Sequence, residues 1–368
     1  MKIEHIILYH VRMPLRSPFE TSFGRSETRN CIIFEVDAEG VTGYGECTAD
    51  YEPGYSYETT GTSWVILRDF ILPLILDQDI PSPGDLKQRL AVVRGYNMAK
   101  AGLEMALWDI LGQQQGRSLK DMLGGTRECV DVGVSVGIQE SPEALVKTVA
   151  GYLEKGYARI KIKIKPGRDV AETTAVRKSF PKVRLQVDAN SAYELSNAGA
   201  LKPLDDLDLL LIEQPLSEDD LWDHHHLQGM LQTPLCLDES ILSARHARQA
   251  LEMDACRVIN IKPGRVGGLS EAIAIHNHCR EQDVPVWCGG MLETGIGRAS
   301  NLALASLPGF TLPGDISATD RYYLEDITEE RFVLNSDSTI NVPTGPGLGV
   351  RVNKAALKKA ALEVMVAG

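Results

Sequence analysis

The chain lacks any apolar run long enough to cross a bilayer, and its start, Met1-Lys2-Ile3-Glu4-His5, shows no apolar stretch of signal-peptide type. The expected location is therefore the cytoplasm. It is also short of positive charge: 38 basic residues face 50 acidic ones, for a net charge of -12 and a pI near 5.2. That balance argues against nucleic acid or an anionic membrane as partner. No Cys-x-x-Cys pair occurs among the seven cysteines (Cys31, Cys47, Cys129, Cys236, Cys256, Cys279, Cys288), so neither a disulfide framework nor a thiolate zinc site is indicated, and buried free thiols are expected. Missing too are a Gly-x-Gly-x-x-Gly turn after an early strand, a Walker-type phosphate loop and a Ser-His-Asp grouping. Nothing here supports a dinucleotide-binding sheet, a P-loop enzyme or covalent serine hydrolysis.

What is present is a soluble globular composition, 43% hydrophobic and 24% charged, on 368 residues, more than one ordinary domain. Residues 3–13, 30–37 and 41–47 are rich in Ile, Val and Phe and read as strands, with Asp37-Ala38-Glu39-Gly40 turning between the last two. The segments 14–24 and 50–57 read as long loops of the kind that close over binding sites. Ala99, Leu103, Ala106, Leu107, Ile110 and Leu111 then make one apolar face of a helix over 98–115. After Gly124-Gly125 the pattern changes. Strand cores near 131–136, 159–164, 184–188, 208–213, 235–238, 257–262, 284–288 and 310–313 alternate with helical segments at close to 25-residue intervals. Eight such units imply right-handed crossovers and a closed parallel α/β barrel. The expected domains are an α+β unit at 1–125, the barrel at 126–320 and a tail at 321–368 that packs back on the first unit.

In Arg159-Ile160-Lys161-Ile162-Lys163-Ile164-Lys165-Pro166-Gly167, apolar and cationic side chains alternate, so Lys161 and Lys163 share one face. Inward-facing ammonium groups are costly unless carboxylates, a metal or an anionic ligand meet them; the plainer alternative is a solvated edge strand. The following strand ends decide between these. They read Val187-Asp188-Ala189-Asn190, Ile212-Glu213-Gln214-Pro215, Leu237-Asp238-Glu239-Ser240 and Asn260-Ile261-Lys262-Pro263-Gly264. Asp188, Glu213 and Asp238 recur at intervals of 25 residues, so three neighbouring strands each deliver a carboxylate to the C-terminal rim, where barrels of this type carry their sites. Converging anions need a cation, and an all-oxygen set suits Mg2+. Lys163 and Lys262 flank that set, placing two amines about the α-carbon of a carboxylate substrate. Neighbouring cations and partial burial are expected to depress a lysine toward the range of a general base.

Other candidates are bland. His224-His225-His226 on a helix point in three directions, so a solvated helix start is expected. His276 and His278 lack ligand spacing, Lys165 lies past its strand end, and Glu239 points to the other face if its strand stays regular.

Lys-x-Lys on the second barrel strand with Lys-Pro-Gly on the sixth resembles the muconate lactonising branch of the enolase superfamily. The runs Arg159–Gly167, Val258–Gly268, Trp287–Gly297 and Leu312–Asp315 resemble more closely its o-succinylbenzoate synthase / N-succinylamino acid racemase group, also called N-acylamino acid racemases. The resemblance runs the length of the chain. It implies an α/β fold, a modified TIM barrel (β/α)7β with an N-terminal α+β capping domain. Mg2+, with Mn2+ or another divalent ion able to substitute, would be held by Asp188, Glu213 and Asp238, with Lys163 and Lys262 as the acid/base pair. Lys161 would support Lys163 electrostatically, and Asn190, Glu239 and Arg265 would stand behind the reacting groups. Arg265 would tune Lys262, since racemase-competent members tend to carry Arg there. Ser135 and Gly290, Met291 and Leu292 would face substrate, with Phe19, Phe23 and Tyr55 closing the pocket.

The implied partner is a small-molecule carboxylate, and the protein is expected to be a homo-oligomer. The implied reaction is proton abstraction α to a carboxylate through an ene-diolate: racemisation of N-succinylamino acids together with o-succinylbenzoate synthase activity. Synthase activity alone, as in menaquinone biosynthesis, is the first alternative, and muconate-type cycloisomerisation the second. Dipeptide epimerases rank lower, because their Asp-x-Asp pair is replaced by Asp315-Ile316-Ser317. A non-enzymatic barrel would bind metal without exchanging any substrate α-proton.

Overall fold

The alternating apolar residues of the opening segment form an antiparallel sheet of β1 (Ile3–Thr21), β2 (Gly24–Ala38) and β3 (Val41–Cys47). The computed structural model describes residues 1–368. β1 and β2 run past their expected ends: Phe19 pairs with Ser26 and Thr21 with Gly24, with a break in register between Pro14 and Phe19. The expected loop at 14–24 is thus the far end of a hairpin. Pro14 and Pro18 give no N–H to a ladder, which reads as a loop in sequence, yet a two-stranded ribbon tolerates them. The 50–57 segment is irregular, as expected.

Helix Asn97–Gln115 buries Ala99, Leu103, Ala106, Leu107 and Ile110. It lies so close to β3 that a Cβ on Gly45 would sit 1.8 Å from the Gly102 carbonyl oxygen. Only a side-chain-free residue fits there.

Beyond β4 (Cys129–Asp131), the strands β5 (Val134–Val136), β6 (Arg159–Lys163), β7 (Arg184–Asp188), β8 (Ile212–Glu213), β9 (Leu235–Leu237), β10 (Val258–Ile261) and β11 (Val286–Cys288) form one parallel sheet. Its order follows the sequence from β5 to β11. The eighth position is occupied by 310–314, which reaches both edges through parallel bridges, Phe310 with Val286 and Gly314 with Val132. Pro313 lies inside this stretch and contributes no N–H, so isolated bridges replace a ladder. β12 (Thr339–Asn341) pairs with β4, and β13 (Ala361–Ala367) pairs antiparallel with β1 at the edge of the first sheet.

The faces of the barrel strands differ sharply. Outward-facing Ile160, Ile162 and Ile164 are fully buried in the large core beneath the helices. Each contributes about 1.5–3 kcal/mol by leaving water. Inside, Leu211, Cys236, Val258 and Trp287 form a separate small cluster. The first three stand two residues before Glu213, Asp238 and Asn260, hence on the same face of their strands. Apolar side chains thus line the barrel interior below its charged rim. All seven cysteines are free thiols, six of them buried.

Candidate active site

Register brings the predicted carboxylates together. Lys163 pairs with Asp188 across β6 and β7, and Asp188 with Glu213 across β7 and β8. Glu213 pairs with Cys236, so Asp238 stands two residues further toward the rim on the same face. The backbone turns sharply just after two of these positions: Asn190 and Gln214 take φ of 43° and 36°. A left-handed conformation at Gln214 is strained for a residue with a long side chain. Its amide oxygen accepts from the backbone N–H groups of Asp238 (3.0 Å) and Ser240 (3.3 Å), fixing the start of the next strand's loop.

Every carboxylate of the row meets a cation or an amide. Lys163 Nζ lies 2.6 Å from Asp188 Oδ2 and donates to Asn190 Oδ1 at 2.7 Å. Lys161 Nζ lies 2.9 Å from both Asp188 Oδ2 and Glu213 Oε2. Asn260 Nδ2 donates to Glu213 Oε1 at 2.8 Å. Lys262 Nζ lies 2.6 Å from Asp238 Oδ2, whose other oxygen accepts from the Tyr55 hydroxyl (2.9 Å) and pairs with the Arg265 guanidinium. All three carboxylates are 0% exposed, so an unpaired charge on any of them would be costly.

Electrostatics follow from this pairing. Burial alone would raise Asp188, but Lys161 and Lys163 outweigh it and hold the group below the usual carboxylate range. Glu213 is raised well above that range by burial and the nearby Asp188 charge. Lys262 departs from the expected depression. Burial does act to lower it, but Asp238, with Tyr55 and Glu239, prevails and holds the ammonium above its ordinary range. A facing carboxylate at contact distance outweighs Arg265, the neighbouring cation.

The donor set fits a hard divalent cation: three buried carboxylates, with Glu239 Oε2 and Asn260 Oδ1 finding no hydrogen-bond partner among protein atoms. The acidic side chains do not by themselves close into a cage of three; the Lys161 ammonium bridges Asp188 and Glu213, 2.9 Å from each. Glu239 corrects the expectation that it faces away. β9 ends at Leu237, alternation stops there, and Glu239 Oε1 accepts from Asn190 Nδ2 at 2.9 Å. Burial and the charge of Asp238 push Glu239 up to about 7.

A cavity of about 340 Å³ opens above this row. Lys161, Lys163, Asn190 and Lys262 line it from the barrel, while Asp188, Glu213 and Asp238 lie behind them. Ser135 and the 290–292 segment line it as well, as do Phe19, Phe23 and Tyr55 from the capping unit. Phe19 lies with its ring centroid 6.0 Å from Lys163 Nζ, and Tyr55 with its ring 4.5 Å from Lys262 Nζ. Phe23 is 46% exposed at the hairpin tip, and the Ser135 hydroxyl is buried without a partner. Arg265, 2% exposed, donates to the carbonyls of Ile241 and Asn260 as well as pairing with Asp238.

His224 corrects the solvated helix start: it is fully buried, with Nε2 accepting from the Leu216 backbone N–H. Sequence reasoning also passed over Arg159, Asn260 and Asp315. Arg159 and Asn260 stand two residues before Lys161 and Lys262, so strand alternation alone could have placed them on the inner face. Asp315 was weighed only for its missing partner, yet it lies 2.6 Å from both Arg159 and Lys161.

This arrangement agrees with relationships that span the chain. Residues 3–124 match the mandelate racemase / muconate lactonizing enzyme N-terminal domain, and residues 144–356 match the enolase C-terminal domain-like family. The chain belongs to the enolase superfamily. Within it, the o-succinylbenzoate synthase of Bacillus subtilis (strain 168) is 49% identical over 98% of this chain and 96% of its own length. The N-succinylamino acid racemase of Amycolatopsis sp. is 49% identical over 95% of each chain. A solved enolase-superfamily structure from Listeria innocua superposes with a TM-score of 0.95 at 42% identity, covering 100% of this chain and 99% of that one. The two groups named by these relatives are those the sequence motifs resemble. No helix is long and apolar enough to cross a membrane.

Proposed function

We propose that this protein removes the proton α to a substrate carboxylate with Mg2+, or Mn2+ in its place, held by Asp188, Glu213 and Asp238. In doing so it racemises N-succinylamino acids and dehydrates the substrate of o-succinylbenzoate synthases. The observation that carries this reading is the pair of lysines at opposite ends of one carboxylate row, Lys163 2.6 Å from Asp188 and Lys262 2.6 Å from Asp238. A divalent ion held by Asp188, Glu213 and Asp238 would supply positive charge for the ene-diolate, and with those carboxylates so engaged Lys163 or Lys262 would be available as the base.

In racemisation, Lys163 as the free amine takes the α-proton from one face and Lys262 as the ammonium delivers a proton to the other; the reverse direction exchanges their roles. In dehydration, one lysine removes the α-proton and then gives it to the departing hydroxyl, which leaves as water, while the second lysine remains a stabilising cation. Asn190 orients Lys163, and Tyr55 and Arg265 steady Asp238 beside Lys262. Ser135, Phe19, Phe23 and the 290–292 segment hold the acyl group and exclude water. Asp315 is occupied by Arg159 and Lys161, so it is not free to hold a substrate ammonium, which disfavours dipeptides. We extend the reading to self-association: Leu362, Val364 and Val366 are exposed on the edge strand β13, and a second copy would cover them.

Proton NMR of N-succinyl-phenylalanine with protein and Mg2+ in D2O tests the chemistry, with the synthase substrate assayed in parallel. Exchange of the α-proton from both enantiomers is the expected result. Dehydration without exchange would leave the synthase alone, as the synthase names of close relatives allow. Neither activity would overturn the proposal.

A further inference from the structure

We infer that Asp315 is a positioning residue for Lys161, keeping that ammonium from closing over the carboxylates that take the divalent cation. The inference rests on the metal reading proposed above, and it concerns how the chain's own cations are kept from competing with that ion.

Lys161 is the most heavily contested cation of the site. Its Nζ lies 2.9 Å from Asp188 Oδ2, 2.9 Å from Glu213 Oε2 and 2.6 Å from Asp315 Oδ2, on a residue only 3% exposed. Only the contact with Glu213 is aligned as a hydrogen bond; those with Asp188 and Asp315 are ion pairs. Two of those carboxylates belong to the row that would hold the metal. A divalent ion and an ammonium competing for the same oxygens repel strongly in a poorly hydrated interior. With an ion bound, Lys161 would need another anchor, and Asp315, its shortest contact, is the one carboxylate it meets outside the row.

Asp315 is itself held from behind. Its Oδ1 lies 2.6 Å from Arg159 Nη1, close enough for an ion pair although not aligned as a hydrogen bond. Arg159 is fully buried and donates to the carbonyls of Pro313 (3.0 Å) and Gly314 (2.5 Å), which tie it to the irregular eighth position of the barrel. The indole of Trp287 faces both cations, 5.6 Å from the Arg159 guanidinium and 4.9 Å from Lys161 Nζ. Arg159, Asp315 and Lys161 thus form a chain of alternating charge running from the eighth position toward the metal row. Without the middle carboxylate, Lys161 has only Asp188 and Glu213 to neutralise it.

The test is direct titration of the purified full-length protein with Mn2+, free ion being read by electron paramagnetic resonance, with no substrate present. Four proteins are compared: unsubstituted, Asp315→Asn, Lys161→Met and the double variant. Asp315→Asn should weaken Mn2+ binding by about tenfold. Lys161→Met should bind at least as tightly as the unsubstituted protein. In the Lys161→Met background, adding Asp315→Asn should cost about twofold or less, because the competing ammonium is gone; that non-additivity is the signature of positioning. The same loss with and without Lys161 would show that Asp315 acts only through its own charge and would overturn the inference, as would unchanged affinity in Asp315→Asn. If Asp315→Asn does not fold, Lys161→Met alone decides: weaker Mn2+ binding would mean that Lys161 assists the ion and would sink the idea. No binding by the unsubstituted protein would defeat the metal reading itself, and this inference with it.

Discussion

The two ends of the carboxylate row make the same first contact and are supported differently. Lys163 and Lys262 each lie 2.6 Å from an outer carboxylate, and each outer carboxylate takes a second cation, Lys161 at Asp188 and Arg265 at Asp238. The next partner differs. Lys163 donates to Asn190, a residue of the barrel itself, whereas Lys262 donates to the Tyr55 hydroxyl at 3.2 Å, a residue of the capping unit. The hydrogen-bond partners of Lys163 thus come from the barrel, the capping unit reaching that end through the Phe19 ring and the Ser22 hydroxyl on the Asn190 carbonyl, while Lys262 is hydrogen-bonded directly by a capping-loop residue. Disturbing the capping loop should therefore affect one face of a substrate more than the other.

Replacing the lysines tests this contrast most severely. Lys163→Ala and Lys262→Ala should each lower racemisation by about 10³-fold or more, while α-proton exchange survives from one enantiomer only, a different one for each variant. Loss of exchange from both enantiomers in a single variant, read by NMR in D2O, would remove the two-ended scheme. Chelation of divalent ions should act on both ends alike: it should abolish exchange from either enantiomer, and added Mg2+ or Mn2+ should restore it.

Smaller effects sharpen the asymmetry. Arg265→Gln removes the second cation at Asp238 and should slow the enantiomer served by Lys262 by about tenfold, leaving the Lys163 direction closer to normal. Tyr55→Phe deletes the hydroxyl that donates to Asp238 and accepts from Lys262, a net loss of about 1 kcal/mol and a rate effect of about fivefold at the same end. Equal slowing of both enantiomers by either change would show that the ends are not separable.

The smallest effect concerns how the Tyr55 loop is pinned. Glu58 accepts from the backbone N–H groups of Met98 (3.0 Å) and Ala99 (3.3 Å) at the start of helix Asn97–Gln115. Burial pushes its carboxyl up to about 7, against an ordinary 4.5. The folded chain then binds this proton more readily than the unfolded one. Glu58 favours the fold most below the ordinary value, and that contribution is lost as pH rises through about 7. Denaturant titrations between these pH values should show a shallower decline with rising pH in Glu58→Gln than in the unsubstituted protein.

Much of the site was legible because strand periodicity and spacing are local properties. Alternation in Arg159–Lys163 puts the lysines on one face, and the 25-residue interval from Asp188 to Glu213 to Asp238 marks equivalent points of a repeated β/α unit. The hairpin at 14–24 was not legible, since Pro14 and Pro18 suppress the strand signal while register with β2 maintains the ribbon. Glu239 defied regular alternation because its strand had already ended.

By itself, then, the sequence determined the barrel class, the carboxylate row and the two flanking lysines, because each depends on side-chain periodicity within a repeated unit. Only the tertiary structure decided which charges neutralise one another. It joined Asp315 to Lys161 across the barrel, brought Tyr55 of the capping unit onto Asp238, and raised Lys262 where local reasoning lowered it. Those outcomes turn on contact distances between residues far apart in the chain, and Coulomb energy in a buried site depends on those distances and on desolvation, neither of which a linear pattern contains.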